Sequence, residues 1–211
     1  MSNSGNIKCL CDLKDRALKA FYSIKSMLGR AFQDKPTLTI KLVDVYVKRI
    51  LLYCSDFWGV YPITKSSSNP CEQLYLSMLK QILGVSKRTS NTGTFFELGL
   101  APLVCDSRVR CLDNWLRVIN GRSNPLLKIS VQNAMENNML WSESLKAFLY
   151  DLTRTDIWND PTKFSPKSIT SQQIKNLCQV KFRQNGTLEI SSIHSKLRTY
   201  ATFSTLTNQL P

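Results

Sequence analysis

Histidine is almost absent from this chain of 211 residues, since His194 is the only one. Most catalytic arrangements of serine or cysteine with histidine would have to use this side chain, which lies in a serine-rich stretch, 191–195, typical of solvated surface. Cysteine pairs at metal-site spacing are also missing, and the seven cysteines are scattered and odd in number. The sequence therefore predicts reduced cysteines that behave as small apolar residues, with no disulfide framework and no metal site.

Long apolar runs are absent as well. The longest, residues 50–54, falls far short of the roughly 18 residues that a membrane-spanning helix needs. Residues 1–6 contain neither the basic segment nor the apolar segment of a signal peptide. We therefore expect an intracellular protein, in the nucleus or the cytoplasm, with no membrane partner.

Positive charge is what the sequence has in excess. Lysine and arginine number 28 against 15 acidic residues, which gives a net charge of +13, and 43% of the residues are hydrophobic. That apolar content is too high for a disordered tail and predicts one compact unit with its own core. The basic residues are spread evenly over both halves of the chain. The charge indicates an anionic partner, for which nucleic acid is a better candidate than an acidic membrane surface.

Apolar residues recur at three- and four-residue spacing along most of the chain, which predicts an all-α fold, an irregular bundle of about seven to eight helices. The expected helices cover 12 or an earlier residue to 29, 37 or 39 to 58, 70–83, 94–98, 103–120, 125–138, 143–152 and a last segment from 168 or 171 to 182. Asn69-Pro70 and Asn124-Pro125 are expected to start the third and the sixth, with proline at the first helical position after the cap. The second is apolar over more than half of its circumference, so we expect a central helix buried by several neighbours. Asn185-Gly186 is expected to end the last helix or, alternatively, to form the turn of a weak hairpin.

Several segments, taken in order, resemble a known protein family. They are residues 13–29, Lys41-Leu42-Val43-Asp44, Ile50-Leu51-Leu52-Tyr53, Trp58-Gly59, residues 79–89, Glu97-Leu98-Gly99, Pro102-Leu103, residues 115–120 and residues 195–200. Their combination is similar to the region C-terminal to the reverse transcriptase domain in LINE-type non-LTR retrotransposon polyproteins, over roughly residues 13–203. The chain departs from the usual family pattern at Arg49, where proline is common, and at Cys54, where glycine is common. Phe96 and Leu100 likewise replace a glycine and an arginine.

The resemblance implies the thumb and connection region of a reverse transcriptase. Such a region would hold RNA or an RNA–DNA duplex during target-primed reverse transcription. We expect a disordered N-terminus over 1–12, a thumb-like helical bundle over 13–121, a C-terminal helical extension over 122–205 and a tail over 206–211.

Polymerase chemistry is not expected of this chain. No two acidic residues are adjacent, so the Tyr/Phe-x-Asp-Asp turn that supplies metal-binding carboxylates in reverse transcriptases is missing. We therefore expect a truncated element or gene fragment that is not an enzyme and lacks both the polymerase and the endonuclease active site. No catalytic residue, cofactor or small-molecule substrate is expected.

The best candidates for phosphate contacts come from the end of the third predicted helix. Lys80 is expected on its outward side, and Lys87 and Arg88 lie in a polar loop whose hydroxyl and amide side chains are able to bind phosphate. A comparable alternative is a solvated cationic cluster that complements the negative C-terminal end of the helix.

Two further pairs of basic residues are candidates for nucleic-acid contacts. Lys196 and Arg198, near the C-terminus, form the second candidate site. Lys48 and Arg49 are weaker candidates, because Asp44 precedes Lys48 by one helical turn and is able to pair with it.

Arg110 and Arg117 are discounted as nucleic-acid contacts. Asp106 and Asp113 lie three or four residues away on the same predicted helix face, so the expected charges pair with each other.

The four tryptophans are possible platforms for base stacking. Trp58 and Trp115 lie on apolar helix faces and are expected in the core, whereas Trp141 and Trp158 fit either role.

A different class of function fits the same charge and helical pattern. The chain would then be a helical protein-interaction module, or an inactive structural remnant, with no nucleic-acid role.

Overall fold

The structure is a computed structural model that describes residues 3–60, 69–121, 124–164 and 171–191. All regular secondary structure in these residues is helical, which confirms the all-α class. The α-helices are α1 (Asn3–Leu28), α2 (Ala31–Asp34), α3 (Pro36–Leu42), α4 (Lys48–Leu51), α5 (Ser55–Trp58), α6 (Pro70–Ile82), α7 (Asn91–Glu97), α8 (Leu103–Asn120), α9 (Pro125–Glu136), α10 (Leu140–Asp151), α11 (Thr155–Asn159) and α12 (Ser171–Ser191). A π-helical segment, Val43–Val47, joins α3 to α4, and a 3-10 turn, Pro161–Lys163, follows α11. Within the described part of the chain, no helix combines the length and the apolar character that crossing a membrane requires.

Helix α1 begins much earlier than the predicted disordered N-terminus allows. Residues 3–12 are helical, and Leu10 is buried in continuation of the apolar stripe that includes Leu13 and Ala17. The thiol of Cys71 on α6 also lies 3.6 Å from the carbonyl oxygen of Leu10. This contact joins the N-terminal part of α1 to α6, a helix distant in sequence.

The prediction of one central helix over 37–58 is wrong in two respects. The segment is divided into α3, a π-helical segment, α4 and α5, and Cys54 adopts the left-handed conformation, at φ 55°, between α4 and α5. It is also buried on one side only, since Tyr46 is 59% exposed and Val45 and Tyr53 are exposed as well. The π turn shifts the register of the side chains that follow it, so Leu51 and Leu52 are buried while Tyr53 and Cys54 are exposed.

The helix starts expected at Asn69 and Asn124, in contrast, are confirmed. Asn69 accepts a hydrogen bond from the backbone N–H of Cys71 at the start of α6, and Asn124 accepts one from Leu126 at the start of α9. Proline follows each cap at the first helical position. After α6 the chain turns at Gly84, whose φ of 66° suits glycine.

Two hydrophobic cores hold the described helices together. The first lies between α1, α6 and the segment from α3 to α4, and it contains Trp58 as predicted. The second joins α8 to α10, α11 and α12 around Trp115, whose indole stacks on that of Trp158 at a centroid distance of 5.4 Å. Because α8 shares the second core with helices beyond residue 122, the border between the cores does not coincide with the predicted boundary after residue 121. That domain boundary itself stays a prediction.

The close crossing of α5 and α8 depends on a residue without a side chain. A Cβ atom at Gly59 would lie 2.4 Å from the backbone oxygen of Ser107, which leaves no room for any other residue. The Ser107 hydroxyl is buried and donates to the carbonyl oxygen of Val104 at 2.9 Å. This crossing places the end of α5 against α8.

Helix α12 passes through the predicted turn. Asn185-Gly186 neither ends the helix nor forms a hairpin, because α12 runs on to Ser191. A Cβ atom at Gly186 would lie 2.5 Å from the ring of Phe96, and Phe182 packs edge-to-face on Phe95. The glycine therefore allows α12 to approach α7, which the sequence pattern alone did not indicate.

Candidate nucleic-acid interface

Lys80 is not on the outward side of α6. Its side chain is only 6% exposed, and its ammonium group donates to the carbonyl oxygen of Lys87 at 3.0 Å, to that of Thr89, and to Oδ1 of Asn91 at 2.8 Å. Burial lowers the pKa of Lys80. The predicted phosphate contact at Lys80 is therefore wrong, because the loop that follows α6 folds over the ammonium group and supplies its hydrogen-bond acceptors.

The 86–90 loop, which joins the end of α6 to α7, has a defined shape. Besides the contacts to Lys80, the backbone N–H of Arg88 donates to the hydroxyl of Ser86 at 3.2 Å, and that of Thr89 donates to the Ser86 carbonyl at 3.0 Å. The Ser90 hydroxyl accepts a hydrogen bond from Gly93 and caps α7. Ser90 is thus already used in the loop, although the sequence offered it as a phosphate ligand.

Lys87 and Arg88 are the two candidates that the loop leaves at the surface. Both side chains are exposed, and neither forms an ion pair with a described residue. The carbonyl oxygen of Lys87 accepts a hydrogen bond from the buried Lys80, so the backbone is held from inside the protein while the Lys87 side chain is exposed. This arrangement presents two adjacent cations on a structured support.

Lys25 lies at the same end of α6, although the sequence did not single it out. Its ammonium group reaches the side-chain oxygen of Gln81 at 3.5 Å and lies 5.5 Å from the ring centroid of Phe32. Gln81 is two residues before Leu83, where α6 gives way to the 86–90 loop. Lys25 comes from a helix distant in sequence, so no local pattern could have placed it at the end of α6.

Lys48 forms ion pairs within a largely buried network of charged side chains. Its ammonium group lies 2.6 Å from Asp106 on α8 and 3.9 Å from Asp44, so the predicted pairing with Asp44 exists but is the longer of the two. Lys175 on α12 lies 2.8 Å from the other oxygen of Asp106. Burial alone would raise the pKa of Asp106, but Lys48 and Lys175 together hold it below its usual value. Through Asp106 this network joins α4, α8 and α12, and Lys48, with its ammonium group held inside it, is a poor phosphate ligand.

Helical spacing predicted an ion pair between Arg110 and Asp106, but Arg110 has a different partner. Its guanidinium donates to the carbonyl oxygen of Leu52 at 3.2 Å, where α4 ends. Arg49 is exposed, and together with Arg110 and Lys175 it lines a polar cavity of about 340 Å³ around Asp106. Of the two weaker candidates, Arg49 is thus accessible and Lys48 is not.

Glu72 is a buried acid that the sequence did not identify. It is 4% exposed, and its two carboxylate oxygens accept hydrogen bonds from the backbone N–H groups of Leu103 and Val104, at 3.2 and 3.0 Å. It therefore caps α8 from α6. Burial, only partly offset by these hydrogen bonds and by Lys48, raises the pKa of Glu72 to about 7.

The cysteines divide between core and surface. Cys71, Cys105, Cys111 and Cys178 are buried, whereas Cys9, Cys11 and Cys54 are exposed. Burial raises the pKa of Cys71, Cys105 and Cys111 to about 12, so these thiols stay protonated near neutral pH and pack as small apolar groups. Within the described ranges, no group of three or more His, Cys, Asp and Glu side chains is arranged to hold a metal ion.

The second predicted site, Lys196 and Arg198, lies outside the described residues, and so does His194. Among the described residues, the predicted contacts that remain accessible are Lys87, Arg88 and Arg49, and Lys25 contacts Gln81 near the end of α6. Comparison of the chain with known protein families, with curated proteins and with solved structures finds no match.

Proposed function

We propose that this chain binds RNA or an RNA–DNA duplex through contacts to the phosphates, as the region of non-LTR reverse transcriptases that it resembles would do. The observation that carries the proposal is the 86–90 loop, in which internal contacts to Lys80 hold the backbone while Lys87 and Arg88 remain exposed. Phosphate contacts of this kind position a duplex and do not read its sequence. The net charge of +13 supports the proposal by attracting a polyanion to the whole surface.

In this proposal the chain contributes to holding the duplex and not to polymerisation. The sequence offers no adjacent carboxylates for a two-metal site, so primer extension by the chain alone is not expected. Lys80 acts from inside the protein by shaping the loop and makes no phosphate contact of its own.

The test is the salt dependence of binding. Binding of the full chain to an RNA–DNA duplex should weaken as salt increases, because each phosphate contact releases counterions. Lys87→Ala and Arg88→Ala should each reduce the slope of log K against log salt concentration by about one unit. The measurement is fluorescence anisotropy with a labelled duplex at several salt concentrations.

Lys163→Ala is the matched control, because Lys163 is an exposed lysine that lies 2.8 Å from Asp160. This variant should leave the slope almost unchanged. Absence of binding at low salt, or binding that does not depend on salt, would contradict the proposal.

A protein-interaction module is the second candidate, and one observation favours it. Helix α9 buries none of its residues, and Leu126 on this helix is 73% exposed, with Leu127 and Ile129 also exposed. Exposed apolar side chains grouped on one helix are typical of a protein contact. If the full chain fails to bind any duplex at low salt, this second candidate replaces the first.

A further inference from the structure

A second cavity, of about 360 Å³, lies beside the crossing of α5 and α8 and is bounded on its far side by α9 and α10. It is separate from the polar cavity around Asp106, with which it shares no lining residue. Its volume falls within the range of small-molecule sites, and its lining is mostly apolar with a few polar groups. These properties are those of a binding site for a small organic molecule.

The lining of this cavity is rich in aromatic rings. Four aromatic residues contribute to it: Phe57, Trp58, Trp115 and Trp141. The face of an aromatic ring carries partial negative charge and attracts cations, most strongly in the case of tryptophan. Trp58 and Trp115 are largely buried, and Trp115 already stacks on Trp158. Phe57 and Trp141 therefore offer the ring surface that favours an ammonium ion over a neutral molecule of the same shape.

The only charged side chain among the described residues that line the cavity is acidic. It belongs to Asp56, which is partly buried and forms no ion pair with a described residue. In a protein with a net charge of +13, a cavity whose single charge is negative is a local exception. Its carboxylate complements the charge of a bound cation, and the polar groups of Asn114 and Ser130 in the lining are neutral.

We propose that this cavity binds a small organic ammonium ion, with the alkyl groups against the aromatic rings and the positive charge near Asp56. The rings account for the apolar part of the ligand, and the carboxylate together with the ring faces accounts for its charge. The site is independent of the duplex-binding surface, because Lys87 and Arg88 do not line it.

The test compares two probes of the same shape. Choline carries a trimethylammonium group, and 3,3-dimethyl-1-butanol replaces the charged nitrogen by carbon. Tryptophan fluorescence of the full chain, titrated with each probe, should show that choline binds about tenfold more tightly, since the ring faces and the Asp56 carboxylate both favour the cation. Equal binding of both probes, or no binding of choline, would overturn the proposal.

Asp56→Asn should reduce the preference for choline, because it removes the carboxylate while the ring faces stay, and it should leave the binding of the alcohol unchanged. Asp15→Asn, at an exposed position on α1, is the control and should leave the preference intact. Trp141→Ala should weaken the binding of both probes, because it removes one aromatic wall, and far-UV circular dichroism should confirm that each variant is folded. A preference that persists unchanged in Asp56→Asn would also overturn the proposal, and the comparison of the two probes on the unmodified chain holds even if a variant does not fold.

Discussion

The ammonium group of Lys80, at the end of α6, donates a hydrogen bond of 2.8 Å to Oδ1 of Asn91, the first residue of α7. The same group also binds the backbone oxygens of Lys87 and Thr89 between the two helices. A single buried lysine thus acts as the internal cation of the 86–90 loop. The shape of the loop, and with it the position of Lys87 and Arg88, depends on a residue that is itself shielded from ligands.

Replacing Lys80 by methionine tests this role. Lys80→Met keeps the length of the side chain but removes three hydrogen bonds from a charged donor, so the free energy of unfolding should fall by about 2 kcal/mol. Urea denaturation followed by circular dichroism measures the change. Lys87→Ala is the control and should leave the stability almost unchanged, because the Lys87 side chain is exposed. Equal stabilities of Lys80→Met and the unmodified chain would contradict the structural role.

The pair of Lys48 and Asp106 should be strongly coupled. Both side chains are largely buried at a distance of 2.6 Å, so removing Asp106 leaves a buried ammonium group with only the more distant Asp44. Asp106→Ala should therefore destabilise the protein by about 3 kcal/mol. A double-mutant cycle with Lys48→Ala should show a large coupling energy, measured by denaturant unfolding.

The exposed pair of Lys163 and Asp160 is the control for this cycle, since its ions lie 2.8 Å apart but in contact with solvent. We expect no measurable coupling there, because water and salt screen exposed ion pairs. Equal coupling at both pairs would show that the burial of Lys48 and Asp106 has no energetic effect.

Glu72 should make the stability of the protein depend on pH between about 4.5 and 7. Its pKa is about 7 in the folded protein against an ordinary value of 4.5, so in this interval the folded state binds more protons than the unfolded chain. The free energy of unfolding should consequently fall as the pH rises from about 4.5 to about 7, by about 3 kcal/mol in total, and then level off. Denaturant unfolding at a series of pH values measures this decline.

Glu72→Gln should flatten that pH dependence, because glutamine does not titrate and its oxygen still accepts a hydrogen bond from the start of α8. Glu97→Gln, at an exposed position, should leave the dependence as it is. The lowered pKa of Asp106 acts in a separate window, since its contribution is present above about 3.8 and is lost only as the pH falls further. If the free energy of unfolding still falls over this pH interval in Glu72→Gln, another titrating group is responsible for the pH dependence.

The candidate site was predictable only in part. The exposed positions of Lys87 and Arg88 agree with their place in a short polar loop after a glycine stop, which is a local signal. The role of Lys80 was not predictable, because helical spacing places it on one side of α6 but does not show that the following loop folds back over it. Asp106 raises the same difficulty, since its local partner was expected to be Arg110 and its actual partners come from two other helices.

The sequence by itself determined the all-α class, the caps at Asn69 and Asn124, and the bounds of α8, because each depends on residues within a few positions of one another. Only the tertiary structure decided which charges are buried and which are accessible. Lys48, Lys80 and Lys87 are all candidate phosphate contacts in the sequence, yet Lys48 binds a carboxylate on a distant helix and Lys80 binds oxygens of the loop that folds back over it, while Lys87 remains exposed. The physical reason is that the partner of a charged side chain depends on which chain segments meet in the fold, and local periodicity carries no information about that choice.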